Sequence, residues 1–290
     1  MENECTYVSS RGLLKSCDVF SGAPVSSTQR VSGYKFATCQ TGNSVYVCGS
    51  ALRHFALTVL PHLPPIVLVT GDCDQTCWQD MFPTHADFVH FIEMPTIRHW
   101  FSQNAAVQHP KLTQIPIGLD YHTMTKSAQW GPIMPPLEQE FKLKTLPRLP
   151  FWKRRPFCYS NFHFSMNTKH AYDRREALRD VPRALVYYEP VHVTREQSWI
   201  TQTQYAFVLS PHGGGLDCHR TWEALALGCI PIVKTSPLDP LYDGLPVVIV
   251  KEWSAVTPSL LTAVVSAFQT QTFDYNKLTL AYWVDKIKNT

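Results

Sequence analysis

Residues 205–233 read YAFVLSPHGGGLDCHRTWEALALGCIPIV. An apolar run, YAFVLS, breaks at a proline and three glycines; a stretch of helical periodicity follows, closing on Gly228 before a second apolar run, CIPIV. Strand, loop, helix and strand in this order mark a parallel sheet whose crossover helix covers one face. At about 100° per residue, Cys218, Trp222, Leu225 and Cys229 share one stripe for the sheet, while His219, Arg220 and Glu223 lie toward the other side. Asp217 or a near neighbour caps the helix, and Gly228 suits its C-terminal turn.

Glycines let the backbone approach a ligand closely, and a helix N-terminus presents unpaired N–H groups with a partial positive charge. His212, Gly213, Gly214 and Gly215 therefore form a loop suited to phosphate. Arg220 brings a planar fork for a further phosphate oxygen, His219 stands beside it, and Glu223 is placed to accept from vicinal hydroxyls such as those of a ribose. Together they describe a nucleotide diphosphate site. No GK[ST] follows the glycines and no GxGxxG is present, which argues against a P-loop hydrolase and a nicotinamide-dependent oxidoreductase.

Outward from this stretch, apolar runs alternate with helical segments along the whole chain. In the first half strands are expected at 44–49 (SVYVCG), 66–70 (IVLVT), 87–94 (DFVHFIEM) and 112–118 (LTQIPIG), with helices through Leu60 and near 96–107. In the second half strands fall at FCYSNF, ALVYYE, YAFVLS, CIPIV and LPVVIV. Helices there are a charged one near 169–180, one opened by the Thr194 to Gln197 capping-box spacing, one opened by Thr257 before Pro258, and a C-terminal amphipathic segment. Nearly continuous apolar strands between helices indicate parallel sheets covered on both faces. The proline- and charge-dense stretch 131–156 reads as a linker. The expected organisation is an α/β chain of two Rossmann-like doubly wound domains: 1–145 for the acceptor, 146–275 for the nucleotide sugar, and a C-terminal helix, 276–290, placed to pack back on the first.

The chain has 290 residues, 44% of them hydrophobic, enough to fill two cores. No apolar run is long enough to span a membrane, and the N-terminal residues lack the basic-then-apolar order of a secretory signal. Nine cysteines occur without a CxxC pair, and Cys73 with Cys77 gives only CxxxC spacing; a reduced, cytoplasmic chain without structural zinc is expected. The net charge of +3 is dispersed apart from Lys153, Arg154 and Arg155, so no nucleic-acid partner is expected.

The stretch SPHGGGLDCHRTWEALALGCIPIV, with LPVVIVKEW after it, resembles the donor-binding motif of exostosin-like glycosyltransferases: a glycine loop, an HR pair and a WEAL glutamate before a GxIPIV strand. The earlier MPTIRHWFSQNAAVQHPKLTQIPIGLDYH is similar to the N-terminal domain of that group. The clear motif covers about fifty residues. The resemblance implies a GT-B fold, two Rossmann-like domains facing a cleft, and an inverting transfer without a metal or other cofactor; small relatives include xylosyltransferases of algal viruses. His212 stands where many relatives carry arginine in an Arg-Gly-Asn-Gly loop.

Such a transferase needs a general base on the acceptor side. Asp72 and Asp74, in IVLVTGDCDQTCW, follow a strand end, where ligand crevices form in open α/β sheets; either fills the role, with His54, His85 and His90 as lesser candidates. The same Asp-x-Asp is the pattern by which GT-A transferases bind a divalent cation that bridges the donor diphosphate. On the donor side Ser160 or Asn161 is placed to donate to phosphate, Arg174 and Arg175 line the next helix, and Tyr242 either lines the sugar pocket or anchors a loop. The reading is of a glycosyltransferase moving a sugar, xylose first, from a UDP-sugar to a glycan hydroxyl. The alternatives are a metal-dependent GT-A-type enzyme using Asp72 and Asp74, or a non-catalytic nucleotide- or glycan-binding protein.

Overall fold

Ten strands form two five-stranded sheets in the computed structural model, which describes residues 1–20, 24–162 and 166–290. The first sheet holds β1 (Val19–Phe20), β2 (Ser44–Cys48), β3 (Ile66–Gly71), β4 (Ile97–Ser102) and β5 (Leu112–Gln114), in that spatial order, and every neighbouring pair is parallel. The second holds β6 (Arg155–Ser160), β7 (Val186–Tyr188), β8 (Tyr205–Leu209), β9 (Ile230–Lys234) and β10 (Val248–Val250), in the order β10-β9-β8-β6-β7, again all parallel. Strands β2, β3 and β8 are buried at every position, as sheets covered on both faces require.

Among the described residues ten α-helices accompany them: α1 (Ser10–Ser16), α2 (Leu52–Thr58), α3 (His85–Ile92), α4 (His122–Lys126), α5 (Pro136–Thr145), α6 (Ala171–Asp180), α7 (Arg195–Gln202), α8 (His219–Ala226), α9 (Pro258–Phe268) and α10 (Leu280–Lys288). The chain divides into two compact units. One comprises Glu2–Ile117 together with Thr279–Thr290; the other comprises Gly118–Leu278 with Met1. Helix α10 thus belongs to the unit of the first sheet: the Leu280 N–H donates to the Thr6 carbonyl at 2.8 Å, and Leu280, Trp283 and Ile287 are buried.

Each unit has its own apolar core. Val45, Leu68, Phe88, Phe91 and Trp100 belong to the first, and Cys158, Phe207, Ile232, Trp253 and Leu261 to the second. The capping box at Thr194 forms with Gln197, and the Thr257 side chain accepts from the Leu260 N–H one turn into α9.

Three local expectations are corrected. Residues 87–94 are not a strand but the body of α3. Thr84 and Asp87 form a reciprocal capping box, and Phe88, Phe91 and Ile92 bury one face at helical spacing. Residues 96–107 are not a helix: β4 occupies Ile97–Ser102 and pairs with β3 and β5 on either side, so tertiary pairing overrides the local pattern. The stretch 131–156 is not an open linker, since it contains α5, whose Gln139, Glu140 and Leu143 are buried; Gln139 donates to the carbonyls of Tyr121 and Met134 at 2.9 and 2.7 Å.

Strand order places the site. In the first sheet the strands follow one another in sequence. In the second the chain passes from β6 out to β7 and returns across β6 to β8, so the direction of winding reverses between β6 and β8. Carboxyl ends of neighbouring strands flank a crevice at such a reversal, and open α/β sheets bind ligands there. The two ends are Ser160 and the loop that begins at Ser210.

Candidate functional site

The loop after β8 is fastened from α6. Asp173, fully buried, accepts the backbone N–H of His212 on Oδ2 at 2.8 Å and the Trp253 indole N–H on Oδ1 at 2.7 Å. Its neighbour Arg174, also buried, donates from Nε to the His212 carbonyl at 3.3 Å. Two consecutive residues of one helix therefore hold both backbone groups of His212. A Cβ at Gly213 would lie 2.7 Å from an Arg174 guanidinium nitrogen, so a side chain there would push the guanidinium aside. The Gly213 N–H donates to the Gly215 carbonyl, and the Gly213 carbonyl accepts from the His170 N–H. Ser210 and Thr221 hydroxyls, 2.8 Å apart, tie the start of the loop to α8.

Around this loop several polar groups have no partner. Ser160 Oγ, Asn161 Oδ1 and Arg220 Nε are buried atoms with no hydrogen bond among the described residues. Asn161 is oriented through its other end, where Nδ2 donates to Ser198 Oγ at 3.0 Å. Arg220 donates from one guanidinium nitrogen to the Pro211 carbonyl and lies over the Phe162 ring. One hydroxyl, one amide oxygen and one guanidinium N–H are thus buried with unused capacity. Leaving such groups unpaired costs about 1–3 kcal/mol each, which a polar ligand or water would offset.

Other expected residues serve the protein itself. The His212 ring shares a hydrogen bond with the Leu216 carbonyl at 2.7 Å and closes its own loop. Arg175 is exposed and donates from one guanidinium nitrogen to the Met166 carbonyl at 3.1 Å. Asp217 does not cap α8. The N-cap is its neighbour Cys218, whose thiol donates to the Pro211 carbonyl at 3.7 Å rather than capping the first turn, and the buried Asp217 carboxylate takes the Trp222 indole N–H at 2.8 and 2.9 Å. Tyr242, also buried, donates to Asp217 at 3.4 Å and is the loop anchor of its two alternatives. Burial, then the Asp217 charge, pushes the Tyr242 phenol well above its ordinary range.

A second cluster adjoins the amino end of α8, and sequence reasoning missed it. Asp120, His122 and His219 each bring one ligating atom within 4.8 Å of the others. His219, the first residue of α8, shares its Nδ1 proton with the Gly118 carbonyl at 2.7 Å, which leaves Nε2 available as a ligand. His122 Nδ1 lies 3.0 Å from Asp120 Oδ1. Arg195, at the start of α7, donates to Asp120 Oδ2 at 2.9 Å and stands 3.8 Å from Glu223 Oε1. Burial of Asp120 opposes its charge, but His219, Arg195 and His122 outweigh it and hold the carboxyl well below the usual carboxylate range. Arg195 is likewise raised: burial opposes its charge, and Glu223 and Asp120 more than offset that. Glu223 is occupied as well, accepting the Trp199 indole N–H at 3.4 Å.

The expectation of no metal or other cofactor does not stand against this triad. An ionised carboxylate and two imidazoles, one with its tautomer fixed by a backbone carbonyl, fit a divalent cation of the manganese-to-zinc kind. The only local hint was the Asp-x-His at 120–122, because His219 joins it across three strands of the fold.

In the other unit, Asp72 adopts a left-handed φ of 57° directly after β3. Its carboxylate accepts from Ser26 Oγ at 2.9 Å and faces Arg11 at 3.7 Å; its backbone N–H donates to Gln103 at 3.0 Å. Asp74 is exposed. His54 shares its ring nitrogen with the Val31 N–H, His85 packs edge-on to Trp78, and His90 lies in the last turn of α3.

No protein-family model matches the chain, and no curated protein matches it in sequence. What stands is architectural. The fold is GT-B-like. Two parallel sheets flanked by helices make a pair of Rossmann-like domains, a scaffold of the glycosyltransferase type. Among the described residues no helix is long and apolar enough to cross a membrane.

Proposed function

We propose that the chain is a glycosyltransferase that takes a UDP-sugar, UDP-xylose first among donors, and passes the sugar to a glycan hydroxyl. The observation that carries this reading is the set of unpartnered Ser160, Asn161 and Arg220 atoms around a glycine loop fastened by Asp173 and Arg174, at the reversal between β6 and β8. The Ser160 hydroxyl and the Arg220 N–H are donors of the kind that departure of a nucleoside diphosphate requires around its anion, while the Asn161 oxygen accepts from a hydroxyl of the ligand. The choice of xylose follows the resemblance of the 210–233 motif.

The cation triad favours the metal-dependent alternative over a metal-free transfer, at Asp120, His122 and His219 rather than at Asp72 and Asp74. A divalent cation held there by Asp120, His122 and His219 would supply neutralising charge to a diphosphate. Asp74, exposed, is the better placed of the two aspartates to act as base, since Asp72 is committed to Ser26 and Arg11.

Calorimetric titration with UDP, in manganese and after chelation, tests the donor site. UDP-release measurements with UDP-xylose and UDP-glucose on a panel of glycan acceptors test the transfer. Binding of UDP that weakens in Ser160→Ala and Arg220→Ala, with turnover lost on chelation, is the expected result. Binding without turnover on any acceptor supports a non-catalytic binding protein instead, and no UDP binding refutes the reading altogether.

A further inference from the structure

The unit of the first sheet contains a pair of thiols that the transfer reaction does not use. Cys48 ends β2, and in the parallel ladder it stands opposite Gly71, the last residue of β3. The left-handed turn at Asp72 then brings the chain back so that Cys73 lies over the residue after Cys48. A Cβ placed on Gly49 would sit 2.5 Å from Cys73 Sγ and 2.9 Å from the Met81 methyl, so the glycine admits the sulfur. The Cys48 thiol in turn reaches the carbonyl of the peptide that leads into Cys73. Cys48 Sγ also lies 3.9 Å from Ser50 Oγ and 3.5 Å from the Asp72 carbonyl. Both residues are buried, Cys48 at 6% and Cys73 at 7% exposure, so neither is sealed completely from a small oxidant.

The surroundings separate these thiols from the others. The neighbouring Cys73 thiol is the largest influence on Cys48, followed by burial, which opposes it, and by the Ser50 N–H and hydroxyl; the net effect pushes Cys48 down to about 7 against the charge of Asp72. Cys73 is held as the thiol by the neighbouring Cys48 and by burial. Burial instead pushes Cys17 up to about 12 and raises Cys39, Cys77, Cys158 and Cys229. The titratable groups facing Cys48 are Cys73 and Asp72 from the loop after β3 and Tyr46 from its own strand.

We propose that Cys48 and Cys73 are a peroxide-sensitive modification site, forming a reversible disulfide that staples the end of β2 to the loop carrying Asp72 and Asp74. The Cys48 thiolate attacks one oxygen of hydrogen peroxide; the O–O bond breaks, the departing hydroxide takes a proton to become water, and Cys48 is left as the sulfenic acid. Cys73 sulfur then attacks Cys48 sulfur, the S–O bond breaks, and the hydroxyl leaves with the Cys73 proton as a second water. Two thiols give up two electrons and one peroxide becomes two waters. A cellular dithiol reverses the step.

The test uses the full chain, treated with graded hydrogen peroxide, alkylated under denaturing conditions and mapped by peptide mass spectrometry. The expected result is a cross-linked pair of peptides containing Cys48 and Cys73, lost on dithiothreitol, formed at lower peroxide than any other cysteine modification. Cys73→Ser treated in the same way with dimedone should carry the adduct at Cys48. The wild-type map alone decides if that variant does not fold. A first disulfide between other cysteines, or Cys48 passing to the sulfinic acid with Cys73 still a free thiol, overturns the proposal. None of this requires that the chain bind UDP.

Discussion

Replacing Asp173 by alanine separates two jobs that one buried carboxylate performs. Its oxygens take two donors from different parts of the fold: Oδ2 holds the His212 N–H of the glycine loop, and Oδ1 holds the Trp253 indole. Alanine strands both. At about 1–3 kcal/mol for each buried donor left unpaired, the loss centres on about 4 kcal/mol. With a urea dependence of about 2 kcal/mol per molar, the midpoint for this unit falls by about 2 M. Trp253→Phe removes the indole donor from Oδ1, leaving it Lys234 Nζ at 4.0 Å, and keeps the loop anchor, so it costs stability, about 2 kcal/mol, without freeing His212. UDP affinity distinguishes the two. Release of the anchored amide, about 1.5 kcal/mol, weakens UDP about tenfold in Asp173→Ala, whereas Trp253→Phe stays within about twofold of wild type. Urea melts followed by calorimetry on folded protein read both quantities. Equal losses of UDP affinity in the two variants, or unchanged affinity in Asp173→Ala, refute the assignment of Asp173 as the residue that positions the loop.

Further outcomes follow from the same geometry. His219→Ala removes one of three convergent ligands, and manganese or zinc affinity measured by calorimetry should fall at least about tenfold, while retained affinity would place the cation elsewhere. Alkylation of Cys48 should rise with pH through a midpoint at about 7, and Cys73→Ser, which deletes the largest influence on that value, should move the midpoint up toward about 8.5. Asp120 is held below its unfolded value, so its contribution to stability is full above about pH 4 and is lost as pH falls through the folded value. Asp120→Asn should therefore flatten the acid limb of a stability-versus-pH curve, and an unchanged limb would contradict the charge network with Arg195. Trp222→Phe removes the indole donor from the buried Asp217 carboxylate and should cost about 1–3 kcal/mol in a urea melt.

How much of this was legible in the sequence depends on the range over which each feature is determined. The second sheet reads well because its signals are local: Thr194 and Gln197 close a capping box three residues apart, Thr257 precedes Pro258, and YAFVL is apolar at every position. The 87–94 stretch misleads because Phe88, Val89, Phe91 and Ile92 satisfy both periods. The deciding pair, Thr84 with Asp87, begins before the apolar run. Residues 97–102 carry Arg98 and His99 and look too polar for an interior strand, yet β3 and β5 pair with β4 on both sides.

The site divides along the same line. The glycine loop, Ser160, Asn161 and Arg220 are visible because loop chemistry sits at the ends of strands that periodicity locates. The residues that make the loop rigid are not. In AYDRREALRD, Asp173 and Arg174 look like part of a charged, solvated helix face, but both are buried and take the N–H and the C=O of one residue, His212. A buried charge survives only where its partners are fixed in place, and here the partners are backbone groups of a loop nearly forty residues downstream. The triad extends that argument. Asp120 and His122 show only a short motif until α8 places His219 beside them, and Arg195 then holds the Asp120 carboxylate ionised within a buried setting. The amino end of α8 thus gathers Arg220 on the loop side and His219 on the cation side. Adjacent residues at the start of a helix point about 100° apart, and that angle would let one short segment serve both of the ligand chemistries proposed above.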